Sequence, residues 1–428
     1  MRRCAIGLVG WGTVGGGVLD ILHRDNAMLR ERVGLDLHVS RIVTRSPGRL
    51  PASAAHGASV SSDIAAITGD PEIAVVVHAV GGTGAAKDLL LACLASGKPV
   101  VTANKALIAE HGDELFAAAA AAGVPIAFEA AVAGGIPVIA ALRDGLVANR
   151  IDAIHAILNG TCNYILTMME QGEQDFAEAL AAAQRLGYAE ADPTLDIDGT
   201  DTAHKLAILA RIAAAGAVPV RAIRVEGIQA ITRDDIASAA RLGCRIKLIA
   251  TARRTTAGLD LHVAPTLVPL DHPLAAVMRN HNGVFVEASN AGPQLFTGQG
   301  AGALPTASAV LADVVDVLIG RATATGRYFS LFAGGTPPQT VGEAEEITGS
   351  YARFLVPDRS GVLAGIARVL GDRGISVQSL HQDRPAADGR AIIEVLTHPS
   401  RGGDFLAAVA AIDAAGLTAL PTVTLRRL

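Results

Sequence analysis

A chain of 428 residues exceeds one ordinary hydrophobic core, so two or three domains are expected. Half of the residues are hydrophobic, only 3% are aromatic, and the formal net charge is −5, so no basic, aromatic-rich patch offers itself to nucleic acid. No run is long and apolar enough to span a bilayer, and the apolar start is broken by Gly10 and Gly12, so neither a membrane span nor a secretory leader is expected. The four cysteines, Cys4, Cys93, Cys162 and Cys244, are scattered and read as reduced thiols of a cytoplasmic protein. The twelve histidines give no HxxxH pattern, which argues against a transition-metal site.

Cys4 to Val9 predicts a buried strand that runs into Gly10-Trp11-Gly12-Thr13-Val14-Gly15. In this GxGxxG pattern the first glycine makes a tight turn, the second lets backbone approach a pyrophosphate, and the third lets the next helix pack on the strand. The helix should run to about Arg32, its first N–H groups facing the phosphates. A second strand, about Leu35 to Val43, ends in Thr44-Arg45-Ser46. An acid there would suit the ribose hydroxyls of NAD; a cation with two hydroxyls favours the 2′-phosphate of NADP, with NAD still possible.

Ile73 to Val80 predicts another strand, followed by Gly81-Gly82-Thr83-Gly84 and a helix. The next strand, from Pro99, delivers Lys105 at its carboxyl end, where open α/β sheets bind ligands. Ile126 to Phe128 predicts a further strand, then Glu129, Val132, Gly134, Gly135 and Ile136. A carboxylate followed by glycine-bent backbone is one arrangement that offers several oxygens to a hard monovalent cation.

Ile151 to Leu158 reads as a strand, Asn159 to Asn163 as a polar turn, Tyr164 to Gln171 as a helix and Phe176 to Leu186 as another. The stretch from Gly187 to Ala210 packs Glu190, Asp192, Asp196, Asp198 and Asp201 ahead of an apolar helix on which Asp201 and Lys205 share a face. An acidic loop capping a helix start is the plain alternative. A calcium loop fails, because no Gly stands at its sixth position and no Glu closes it. Thr297 to Gly302 predicts a glycine-rich turn, with Pro305 in the helix that follows to Ile319. Arg321 to Ser350, with Gly334, Gly335, Pro337 and Pro338, reads as a linker. The rest predicts strands Tyr351 to Val356, Ile375 to Leu380, Ala391 to Thr397 and Leu420 to Leu425, with two intervening helices: a βαββαβ order, hence ferredoxin-like.

Over its whole length the chain resembles homoserine dehydrogenase in the form that carries an ACT domain. The stretches responsible are GLVGWGTVG, GKPVVTANKALIAEHG, FEAAVAGGIPVI, NGTCNYIL, GYAEADPTLDIDGTDTAHKLAILA and GQGAGALPTASAVLADV. The resemblance implies an α/β fold: a Rossmann-type nucleotide-binding domain over 1–136 completed by about 297–320, an α+β substrate and dimerisation domain over 137–320, a linker over 321–349 and an ACT domain over 350–428. It implies NAD(P)-dependent interconversion of L-homoserine and L-aspartate 4-semialdehyde. Lys205 would donate the proton, with Lys105 the second site lysine. Glu190 and Asp201 would hold the substrate, with Asp196, Thr161 and Tyr188 lining its pocket. Trp11, Thr13, Val14, Lys105, Gly187, Glu190 and Gly302 match cofactor-contacting positions. Glu129, with main-chain oxygens of Val132, Gly134 and Ile136, matches a site for a monovalent cation such as Na+. The ACT domain, with Gly361 at its binding turn, implies feedback inhibition by L-threonine and edge-to-edge pairing into a homodimer or homotetramer.

The chemistry asks for such residues in its own right. Hydride transfer at an alcohol carbon must be matched by loss of the hydroxyl proton, so a general acid/base is needed, and a lysine serves where burial lowers its pKa. Two competing readings are another NADP-dependent oxidoreductase on the same plan and a non-catalytic amino-acid sensor; NGTCNYIL with DIDGTDTAHK argues against the first, and Lys205, Asp201 and Lys105 together against the second. Two positions depart from the family: His78-Ala79-Val80 stands where an acid commonly precedes the glycines, and Trp11 replaces a small aliphatic residue.

Overall fold

The computed structural model describes residues 2–172, 174–214, 216–324, 337–382, 389–419 and 422–428. Gly334 and Gly335 of the expected linker, and Leu420 at the expected start of the last strand, lie outside the described residues.

The amino-terminal half builds a parallel sheet from β1 (Arg2–Val9), β2 (Leu35–Val43), β3 (Ser59–Ser61), β4 (Ile73–His78), β5 (Val100–Thr102) and β6 (Ile126–Ala127). Their order is β3-β2-β1-β4-β5-β6, the Rossmann arrangement, with the switch between β1 and β4. Short apolar runs such as CAIGLV and IAVVV suit strands covered on both faces; Ile6, Leu8, Val75, Val76 and Val77 are fully buried. Helix α1 (Thr13–Val33) ends on Gly34 in the left-handed region, with Arg30 and Arg32 in its last turn, where cations complement the helix dipole. Helices α2 (Ala85–Ala95) and α3 (Lys105–Ala122) make the crossovers that follow.

The chain continues through β7 (Ile151–Ile157), α4 (Gly160–Gln171), α5 (Phe176–Arg185), α6 (Thr200–Ala214), α7 (Arg233–Arg241), the hairpin β8 (Cys244–Thr255) and β9 (Gly258–Pro269), the hairpin β10 (His281–Ala288) and β11 (Gly292–Gln299), and α8 (Ala303–Leu318). It closes with β12 (Ile347–Pro357), α9 (Val362–Asp372), β13 (Val377–Gln382), β14 (Arg390–Thr397), α10 (Gly402–Ala414) and β15 (Val423–Arg427), the expected βαββαβ order.

Two compact units result. The first comprises Met1–Gly160, Thr200–Ile223 and Asn280–Pro338. In it α8 packs on α1 and shares the core of the parallel sheet through Ala307, Val310, Leu311 and Val314. The second comprises Thr161–Gly199, Arg224–Arg279 and Gln339–Leu428. There the carboxyl-terminal strands pair in the order β15-β12-β14-β13, and β15 also pairs with β9, Thr266 opposite Arg426.

Two local expectations are corrected. The polar turn expected over Asn159 to Asn163 is largely helix: α4 begins at Gly160, and Thr161, Cys162 and Asn163 are buried. Such side chains break helices when they bond to nearby backbone, but Asn163 bonds instead to Lys247 and Val277, outside its helix. The glycine-rich turn expected over Thr297 to Gly302 is half strand, because β11 extends to Gln299, opposite His281.

Candidate active site

The glycine loop lies between β1 and α1 as expected. Gly10 has φ +97°, and a Cβ there would meet Ala79 O at 2.7 Å; one on Gly15 would lie 2.2 Å from Gly10 O. Neither position accepts a side chain, and the loop is held against both sheet neighbours of β1. Gly10 N–H donates to Val43 O at 2.8 Å, which ties the loop to the end of β2 two residues before the exposed Arg45. Thr13 begins α1 with its backbone facing the loop, Val14 and Trp11 are half-buried against the core, and Gly302 begins α8. Open helix N–H groups and a flush glycine turn fit the pyrophosphate of a nicotinamide dinucleotide.

Asn104 shapes the far side of this ligand edge. It caps α3 by accepting the Leu107 N–H at 3.1 Å, and its amide donates to Val80 O at 2.8 Å and Gly82 O at 2.7 Å. The 80–82 turn is thereby clamped to the residue preceding Lys105. His78, the departure from the family, is fully buried. Its ring nitrogens meet Thr102 Oγ1 at 3.2 Å and Ala86 O at 3.0 Å, and burial pushes its pKa down to about 4. The neutral ring therefore joins β4 to β5 and α2 and brings no charge to the turn.

Lys105 opens α3, and Lys205 lies one turn beyond Asp201 on α6. Lys105 Nζ is 2.7 Å from Asp201 Oδ1, and Lys205 Nζ is 2.7 Å from Asp201 Oδ2. Lys205 also donates to Leu158 O at 2.7 Å, and the Asn159 amide donates to Asp201 Oδ2 at 3.1 Å. Asp201 and Lys205 are buried, whereas the Lys105 side chain is 42% exposed. Burial of Asp201 works against its ionisation, but Lys205 and Lys105 outweigh it and hold the carboxyl well below the usual range. One carboxylate thus organises two ammonium groups.

In the second unit, the first turn of α4 gathers the other expected residues. Thr161 Oγ1 donates to Tyr188 O at 2.7 Å, the rings of Tyr164 and Tyr188 lie 5.0 Å apart, and Cys162 Sγ donates to Asp196 O at 3.2 Å. Glu190 and Gly187 stand on the exposed turn that leaves α5, where Gln184 donates to Glu190 O at 3.2 Å.

Glu129 follows β6 and is buried. Its carboxylate accepts the N–H groups of Ile139 at 2.8 Å and Ala140 at 2.7 Å, and its own N–H donates to Asp313 Oδ2 at 2.7 Å. Burial raises the Glu129 pKa to about 7 against the pull of those N–H groups and of Arg143, and burial with the nearby Glu129 charge raises Asp313 well above its ordinary value. Ala133 is forced to φ +55°, which bends the chain between Val132 and Gly134. Among the described residues no donor reaches the carbonyl oxygens of Val132 and Gly134. A buried acid followed within five residues by carbonyls without a donor is a donor set that suits a hard monovalent cation.

Among the described residues the cluster Asp260, His262 and Glu346, in the second unit, has donor atoms close enough for a metal. The Arg224 guanidinium already bridges Asp260 at 2.9 Å and Glu346 at 3.2 Å, and Arg253 reaches Asp260 at 3.2 Å. We assign it to folding.

Family models match three consecutive stretches: "Homoserine dehydrogenase, NAD binding domain" over 10–129, "Homoserine dehydrogenase" over 137–315 and "ACT domain" over 350–415. The chain is 42% identical to the homoserine dehydrogenase of Pseudomonas aeruginosa, with 96% of each chain covered. The chain belongs to the homoserine dehydrogenase family. The relative from Neisseria gonorrhoeae is 41% identical, covering 100% of this chain and 99% of its own. The solved structure of a homoserine dehydrogenase from Thiobacillus denitrificans superposes with a TM-score of 0.93 at 41% identity, covering 100% of this chain and 98% of that one. The activity is accordingly that of the family, oxidoreduction at a CH–OH group with a nicotinamide cofactor, on a Rossmann-type domain, a substrate domain and an ACT domain.

Sequence reading assigned no role to Asn104, Asn159 or Asp313. Asn104 was within reach, since an Asn between a strand and a helix signals a cap. Asp313 was not, because it meets Glu129 from 184 positions away.

Proposed function

We propose that the chain reduces L-aspartate 4-semialdehyde to L-homoserine, and runs the reverse, with Lys205 as the proton donor and Lys105 as the second lysine at the reacting oxygen. The observation that carries this assignment is the Asp201 carboxylate shared between the two ammonium groups. An ammonium has three donors. Lys205 directs one to Asp201 and one to Leu158 O, which aims the remaining one away from its own helix turn. Hydride for the aldehyde carbon would come from a nicotinamide held at the glycine loop. The carbonyl oxygen gathers charge as that bond forms, and Lys205 neutralises it by passing one proton to that oxygen, becoming an amine beside Asp201. In the oxidation direction the amine takes the hydroxyl proton back. Glu190 and Asp196 meet the substrate ammonium, and Thr161 and Tyr188 line the pocket.

Arg45 favours NADP over NAD, with Gly10, Trp11, Gly12, Thr13, Val14, Gly15, Gly187, Glu190 and Gly302 along the cofactor. Glu129 and the carbonyl oxygens of Val132, Gly134 and Ile136 hold a monovalent cation such as Na+. In the ACT domain a cavity of about 300 Å³ is bounded by Asp358, Arg359, Ser360, Gly361 and Gln382, at the amino end of α9. Its size and open N–H groups suit an amino acid, and L-threonine as feedback inhibitor is our reading. Strand β13 pairs only with β14 among the described residues, which leaves an edge for a second copy in a homodimer or homotetramer. We place the enzyme in the cytoplasm, in the biosynthesis of threonine, methionine and isoleucine.

The deciding experiment is NADPH oxidation with aspartate semialdehyde by Lys205→Ala. Turnover should fall by about 10²- to 10⁴-fold, the range of general acid catalysis, with NADPH affinity retained. A near-normal kcat removes Lys205 from the role.

A further inference from the structure

The strand β8 reads CRIKLIATARRT, and its Lys247 lies within the apolar part of that run. Lys247 is 1% exposed, one of the largest fully buried side chains in the protein. Lysines are almost never so buried without a charged partner. Here Nζ directs its donors to Val277 O at 2.8 Å, Asn163 Oδ1 at 2.9 Å and Met278 Sδ at 3.4 Å. None of these is an anion. The nearby charges are Glu170 and Arg245, which pair with each other at 2.7 Å. Burial accordingly drives the Lys247 pKa down to about 8. A site so costly for an ammonium calls for a reason beyond filling space.

The acceptors supply it. Asn163 sits in the first turn of α4, itself buried, and its amide nitrogen donates to the same Val277 O at 3.2 Å. One turn on, Thr167 Oγ1 donates to Asn163 O at 2.7 Å and accepts the Arg279 N–H at 3.0 Å. Arg279 is held at φ +58°, unusual for a residue other than glycine. Lys247 is therefore the cation at the centre of a polar knot that joins β8, the 277–279 turn and the first turn of α4. The same turn carries Thr161, bonded to Tyr188, Cys162, bonded to Asp196, and Tyr164, packed on Tyr188.

We infer that Lys247 is a positioning residue for the reaction: through Asn163 it fixes the α4 turn that sets Thr161 and Tyr188 for the substrate. The inference rests on the reading that Thr161 and Tyr188 meet the substrate. It makes Lys247 a determinant of substrate affinity without contact to substrate, and it leaves the nucleotide-binding residues of the first unit out of the effect.

The test compares Lys247→Met, which keeps the length of the side chain, with Asn163→Leu, the double variant and Thr161→Ala, each in the full chain. Steady-state KM is measured separately for aspartate semialdehyde and for NADPH. Both single variants are expected to raise the semialdehyde KM about tenfold or more and to leave the NADPH KM within about twofold. The double variant should be no worse than the worse single one, because both remove the same link. If Lys247→Met leaves the semialdehyde KM unchanged while Thr161→Ala raises it, the inference is overturned and the reading of Thr161 stands. If Thr161→Ala itself has no effect, that reading fails first. Parallel losses for both substrates, or additive losses in the double variant, reduce Lys247 to a packing role. Where Lys247→Met yields no folded protein, Asn163→Leu decides on the same pair of KM values.

Discussion

Lys205 and Lys105 never meet directly in the described contacts; each lies 2.7 Å from a different oxygen of Asp201. With that charge removed, two ammonium groups would face one neutral amide, and nothing holds them together against their repulsion. Asp201→Asn is expected to lower kcat about 10²-fold, the low end of general acid catalysis, with NADPH affinity retained. Steady-state kcat and both KM values check this. A near-normal kcat would assign Asp201 to something other than the lysine charges.

Arg45 is exposed directly after β2, and Gly10 N–H bonds to that strand's end at Val43 O. A guanidinium there meets a 2′-phosphate but gains little from a ribose hydroxyl. Arg45→Ala should raise the KM for NADPH by about tenfold, a charged hydrogen bond of roughly 1.5 kcal/mol, and leave that for NADH within twofold. Equal effects on the two cofactors would remove the phosphate from Arg45.

Much of this was legible because it is local. The glycine loop, the parallel strands and the βαββαβ tail follow from short apolar runs and turn residues, and their boundaries fall within a few residues of those expected. The polar run at Asn159 was misread for a physical reason. Its side chains look like turn formers only when their partners are unknown, and the partner of Asn163 is Lys247, 84 positions away. Asp201 beside Lys205 was visible as a four-residue spacing, whereas the link to Lys105 spans the fold and no local pattern announces it.

Glu129 carries a sharp pH signature. Its folded pKa, about 7, lies above the ordinary 4.5, so between those values the native state binds more protons than the unfolded chain. The contribution of Glu129 to stability is therefore full below about pH 4.5 and is lost as pH rises toward 7, by up to about 3 kcal/mol for a shift of this size. Asp313 shifts in the same direction. A cation bound to ionised Glu129 offsets the loss, so NaCl compared with choline chloride should stabilise more at pH 8 than at pH 5. Urea midpoints measure the difference, and Glu129→Gln should abolish most of it. An equal salt effect at both pH values argues against a cation on Glu129.

Asp235 is fully buried at the start of α7, where one oxygen completes the Thr232 cap and the other meets Arg353 Nε of β12 at 2.7 Å. Removing one partner of such a pair leaves an uncompensated charge, at a cost of about 3–5 kcal/mol. Arg353→Ala should lower the urea midpoint accordingly, and Asp235→Asn combined with it should recover part of the loss. A stability change below 1 kcal/mol would mean that water reaches Asp235.

Deleting the ACT domain is a poor test of feedback, for a structural reason. β15 pairs with β9, Leu428 N–H bonds to Leu267 O at 3.0 Å, and Arg426 meets the buried Glu346 at 3.2 Å, so truncation strips a strand from the substrate region. A point change in the cavity proposed for the effector avoids this. Gly361 has φ +92° at the amino end of α9, and open space surrounds it, so a side chain there strains the turn and enters the cavity without touching the sheet. Gly361→Val should raise the threonine concentration for half-inhibition by about tenfold or more and leave uninhibited kcat and both KM values within twofold. Inhibition assays at fixed NADPH and semialdehyde read this directly. Unchanged inhibition would place the effector outside the 358–363 turn, and loss of basal activity would show that the turn supports the fold.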